Sequence, residues 1–116
     1  MLTDTLFPIK EIPVTYDVAG WDEPQPAGYK LITREDNNKI LSCMTNDYKV
    51  VTNKEIIDTA VPILKQHKAE LQESISLGNG ERTIWKWIIP HIKIEVAKGD
   101  VLNPEIIIKN SYDGSL

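Results

Sequence analysis

Residues 28–67, GYKLITREDNNKILSCMTNDYKVVTNKEIIDTAVPILKQH, decide the fold. Tyr29, Leu31 and Thr33 alternate with Lys30, Ile32 and Arg34, the period of two that turns one face of a strand to a core. Glu35-Asp36-Asn37-Asn38 is a polar run, and asparagine tolerates the left-handed backbone of a tight connection. Lys39 to Thr45 returns as a second strand, with Leu41 and Cys43 on one face and Ile40 and Met44 on the other. The pattern predicts a hairpin.

A helix follows, over about residues 53–67. Thr52-Asn53-Lys54-Glu55 has the form of a capping box, in which the Thr52 hydroxyl accepts a backbone N–H and Glu55 reaches back. Val51 and Ile56 are placed as a hydrophobic staple across the cap. Ile56, Ile57, Ala60, Val61 and Leu64 then make an apolar stripe at helical spacing. Pro62 removes one hydrogen bond inside this helix and predicts a kink.

Beyond the helix, Lys68 to Leu77 alternates with Leu71, Ile75 and Leu77 on one face. Gly78-Asn79-Gly80 is the strongest turn signal in the chain. Arg82 to Ile89 returns as the partner strand, with Trp85 and Trp87 two apart and so on one face. Pro90 ends it. Ile92, Ile94 and Val96 read as a further half-buried strand, and the three isoleucines in Glu105 to Asn110 read as a strand covered on both faces. With few residues after it, the sheet is expected to end in an exposed or borrowed edge near the C-terminus, a route to self-association. The fold class is α+β, a mostly antiparallel sheet packed on one main helix.

Residues 1–27 form a proline-rich, acidic lead-in arm, and residues 28–116 a single domain. Pro8, Pro13, Pro24 and Pro26 exclude a long helix from the arm. Ile12, Val14 and Tyr16 suit a short edge strand, and Trp21 is expected to pack onto the domain. The net charge of −4 belongs to this arm: up to Gly28, five acids face Lys10 alone, and the remaining 12 acids and 12 bases balance. A non-specific polyanion binder shows an overall basic excess, which is absent.

At 116 residues the chain suffices for one modest core. No apolar run approaches the ~20 residues of a membrane span, and Met1 to Lys10 lacks the form of a signal peptide. A cytoplasmic location is expected. Cys43, the one cysteine, is read as a small buried hydrophobe. His67 and His91 do not combine with it in a zinc-ligand spacing, so neither metal nor cofactor is expected. No serine sits in a nucleophile elbow, and Asp36, Asp47 and Asp113 each fall beside turn residues, so no catalytic residue is assigned.

The residues best suited to binding lie around the second hairpin. Between Gly78 and Lys98, Arg82, Lys86, Lys93 and Lys98 outnumber Glu81 and Glu95. With Trp85 and Trp87 these bases could form a platform that stacks bases and steers phosphates of single-stranded DNA. The competing reading makes both tryptophans core, since large aromatics dominate burial.

The order of segments resembles a phage- and plasmid-like family, the domain of unknown function numbered 932. The family's Tyr-Lys-Val-Val-x-Asn-x-Glu segment is matched by residues 48–55, with Tyr48 and Asn53. Its Asn-Ser-His-Asp-Gly-Ser segment is matched by Asn110, Ser111, Tyr112, Asp113, Gly114 and Ser115, with Tyr112 in the place of histidine. A glycine turn leading into a Trp-bearing strand lies between. Members usually continue further, which implies either an excised part of a longer family domain or a short version that kept one half. The resemblance implies a mobile-element source in a bacterial host and no settled activity. Two non-enzymatic functions fit it: single-stranded DNA binding, or inhibition of a host defence complex of CRISPR or restriction type, with the acidic arm as a partial DNA mimic.

Overall fold

The structure, a computed structural model, describes residues 2–115 without the Val96 side chain, so the burial expected there lies outside the described residues. The strands are β1 (Ile9–Tyr16), β2 (Gln25–Arg34), β3 (Ile40–Thr45), β4 (Glu70–Leu77), β5 (Arg82–Ile88), β6 (Ile94–Ala97), β7 (Asp100–Leu102) and β8 (Glu105–Ser111). Among the described residues one α-helix, α1 (Asn53–Gln66), divides them after β3. All pairing among them is antiparallel, in three sheets ordered β1-β2-β3, β4-β5-β8 and β6-β7. The architecture is α+β. The strands do not form the single sheet expected.

Helix α1 starts where the cap predicts. The Thr52 hydroxyl accepts the Glu55 N–H at 3.1 Å. Its removal in Thr52→Ala is expected to cost about 1 kcal/mol, read as a lowered denaturation midpoint. Ile57 and Leu64 on its inner stripe are buried with Trp85 and Trp87 in one cluster, which Ile106 and Ile108 of β8 complete. Phe7, Ile32, Leu41 and Tyr112 make the second cluster. The short 3-10 turn Thr3–Thr5 and the residues after it reach both, because Leu6 packs on the first and Phe7 lies in the second. The lead-in arm is therefore woven into the core at its start.

Arg34 ties the β1-β2-β3 sheet to the next hairpin. Its guanidinium stacks 3.8 Å above the Phe7 ring, chelates Asp36, and donates to the Asn79 carbonyl at 3.0 Å. Gly80 closes that turn at φ +110°, and a Cβ there would fall 2.7 Å from the Phe7 ring. Only glycine allows so close an approach in that conformation.

Several faces differ from the simple alternation. A bulge between Leu71 and Glu73 switches the parity of β4, so Leu71 faces inward while Ile75 and Leu77 face water. A second irregularity leaves Leu41 of β3 between the partners of Ile32 and Thr33, and both of those β2 residues are buried. Cys43 is exposed. β8 is an edge strand with Ile107 49% exposed, so it is covered on one face and not on both. Ile92 and Ile94 are likewise exposed, because β6 pairs only with the three-residue β7 and gains no covering layer.

The molecule measures 76 × 24 × 22 Å. The β1–β2 hairpin contributes to this length: β3 pairs with β2 no earlier than Tyr29, while Thr15 and Tyr16 pair with Pro26 and Gln25 beyond it. Pro13 is tolerated because β1 is an edge strand, and Pro26 because β3 does not reach that part of β2. The predicted boundary at residue 27 falls inside β2.

Candidate functional site

Asn53 follows the cap directly and is fully buried. A buried carboxamide must find partners for both ends. Its Nδ2 donates to the Thr5 carbonyl at 2.8 Å and to Thr83 Oγ1 at 3.2 Å. Its Oδ1 accepts from Asn110 Nδ2 at 2.8 Å, and Asn110 also donates to the Val51 carbonyl at 2.9 Å. The Asn53 backbone N–H, one of the orphan donors of a helix start, reaches the Tyr112 phenol oxygen at 2.6 Å.

Thr5 and Thr83 extend this knot. Thr5 Oγ1 accepts from the Trp85 indole N–H at 2.9 Å and donates to the Leu2 carbonyl at 2.6 Å. Thr83 Oγ1 shares a hydrogen bond with Ser76 Oγ at 3.0 Å. The knot joins the N-terminal turn, the start of α1, the β4–β5 hairpin and the last strand.

Of the family-motif residues, the structure brings Asn53, Asn110 and Tyr112 together. The Tyr48 carbonyl accepts from Lys30 Nζ at 2.6 Å, outside this knot, although its phenol acts electrostatically on Tyr112. Ser111 pairs with Arg82 across the β5–β8 ladder. Asp113 closes the final turn by accepting from Ser115, with Gly114 at φ +74°. Burial pushes the Tyr112 phenol up to about 12, against the opposing donation from Asn53. The hydrogen bond from Ser115 holds the Asp113 carboxyl below its usual range, burial opposes this, and Arg82 adds to the lowering. These groups serve the fold's connectivity.

The expected base-stacking platform is not formed. Trp85 is 0% and Trp87 8% exposed, because both lie on one face of β5 in a buried cluster with Ile57 and Leu64. Lys86 lies on the opposite face, 3.6 Å from the Glu73 carboxylate. Arg82 opens β5 beside Asp113, whereas Lys93 and Lys98 are exposed beyond the strand's far end. The span of β5 from Arg82 to Ile88 lies between them, about 20 Å at the usual rise.

Exposed aromatics lie elsewhere. Trp21 is 60% and Tyr16 52% exposed at the tip of the β1–β2 hairpin, so Trp21 does not pack onto the domain. Asp17, Asp22 and Glu23 are exposed beside them. The signal for this tip was in the sequence: Gly20-Trp21-Asp22-Glu23-Pro24 is a turn-forming run that follows an alternating strand. Along α1, an apolar groove of about 470 Å³ is lined by Val51, Ile56, Ala60 and Ile63 with Glu55 and Thr59. No described helix is long and apolar enough to cross a membrane.

No curated protein and no solved structure matches the chain. Residues 40–116 match the family model described as Domain of unknown function (DUF932). That segment holds Asn53, Asn110 and Tyr112 and leaves the β1–β2 hairpin outside it. By a match extending over most of its length, the chain belongs to the DUF932 family.

Proposed function

We propose that the protein is a non-enzymatic binding module of phage or mobile-element type, engaging a basic surface on a host protein through the β1–β2 hairpin tip. The observation that carries this reading is the exposure of Trp21 and Tyr16 among Asp17, Asp22 and Glu23. Aromatic side chains of this size are typical anchors of protein interfaces. Carboxylates around them favour encounter with a positive partner and repel phosphate. A nucleic-acid channel in a host defence complex is such a surface, in keeping with an anti-CRISPR or anti-restriction role. In this reading α1 is scaffold, the cover of the β4-β5-β8 sheet.

Single-stranded DNA binding is the second reading. It retains Arg82, Lys86, Lys93 and Lys98 but lacks the stacking tryptophans. Affinity capture of host proteins beside titration of a labelled oligonucleotide separates the two. The proposal expects a retained host protein that is lost with Trp21→Ala or with Asp22→Lys/Glu23→Lys, and no oligonucleotide binding. Oligonucleotide binding that weakens steeply with salt would support the second reading instead.

A further inference from the structure

The β8 edge is unlike the other sheet edges of this chain. Native edges are blunted by bulges, prolines or covering elements. β1 carries Pro13 and a register break, and β4 carries the bulge at Leu71 and Glu73. The β6–β7 pair is also irregular. β8 pairs with β5 in unbroken register from Glu105 to Ser111 and, among the described residues, has no other strand beside it.

The phase of its hydrogen bonds follows from the two ends of the ladder. Ile89 N donates to the Pro104 carbonyl at 3.1 Å, and Tyr112 N to the Glu81 carbonyl at 2.7 Å. In an antiparallel pair the residues that exchange bonds alternate. Residues 106, 108 and 110 therefore turn their backbone groups to β5, and Glu105, Ile107 and Lys109 turn theirs to the open edge.

Those three outward residues are self-complementary. We propose that β8 pairs antiparallel with β8 of a second copy about a two-fold axis through Ile107. Glu105 then stands opposite Lys109 of the other copy, in both directions, and Ile107 opposite its own equivalent. Each of these is a bond-exchanging pair, as the phase requires. On the inner face Ile106 meets Ile108 of the other copy, which continues the cluster under α1 across the junction. The result is one continuous sheet of twice the present width, and it covers Ile107, now 49% exposed. Charge complementarity and phase choose a second copy over an unrelated strand: a Glu-Ile-Ile-Ile-Lys run read against itself leaves no like charges opposed. This inference is independent of the hairpin-tip reading.

Sedimentation equilibrium of the full chain across a wide concentration range tests it. The wild type is expected to form a monomer–dimer equilibrium. Lys109→Glu or Glu105→Lys alone places like charges opposite one another at two positions and should weaken dimerisation by about tenfold. The double swap Glu105→Lys/Lys109→Glu should restore it. Ile107→Pro removes an N–H that the monomer ladder does not use, so it should abolish the dimer while the circular dichroism spectrum stays native. A strict monomer, a double swap that fails to recover, or a dimer indifferent to Ile107→Pro would each overturn the proposal.

Discussion

Trp85→Ala is expected to lower the unfolding free energy by about 3–5 kcal/mol, the range for removing a fully buried aromatic. Trp85 is 0% exposed, and its inward neighbours come from α1 and β8. Truncation leaves a void in the cluster that Trp85 shares with Ile57, Leu64 and Trp87. It also strips Thr5 Oγ1 of the indole donor. Urea unfolding followed by far-ultraviolet circular dichroism measures the loss. A variant that keeps the wild-type midpoint would place the side chain outside the core.

Asn53→Ala should be nearly as damaging, by about 3 kcal/mol, for a polar reason. The side chain satisfies the Thr5 carbonyl, Thr83 and Asn110 together, from a fully buried position. A buried polar group left without its partner costs roughly 1–3 kcal/mol. Asn53→Asp is the sharper variant, since it replaces the amide donor facing the Thr5 carbonyl with an acceptor. Both are expected to unfold at lower urea than wild type. Thermal melts unchanged in both variants would dissolve the knot as a structural unit.

What was legible in the sequence was local. The Thr52 cap, the turn at Gly78-Asn79-Gly80 and the antiparallel return of each hairpin depend on residues within a few positions of one another. Asn53 and Asn110 stand 57 residues apart, and only the family resemblance singled both out. No periodicity could have paired them. The bulge at Leu71 and Glu73 defeats alternation for a simple reason: one inserted residue sends every later side chain of β4 to the other face. Three isoleucines in β8 suggested two covered faces, but the choice of neighbours is a long-range matter, and the strand lies at an edge. The prolines in the arm argued only against a long helix, and the short edge strand expected at Ile12, Val14 and Tyr16 is part of a longer strand whose partner across the tip no local pattern announced. The exposed tip was missed with that pairing.

The tryptophans of β5 are core, and the proposed recognition uses surfaces that do not include them. Trp21→Phe removes the one tryptophan at the hairpin tip and leaves Trp85 and Trp87 as the emitters. Acrylamide quenching of this variant, with and without a single-stranded oligonucleotide, tests this division most directly. The expected emission is blue-shifted, resistant to acrylamide and unchanged by the oligonucleotide. Red-shifted emission that acrylamide quenches freely, or that the oligonucleotide suppresses, would contradict it.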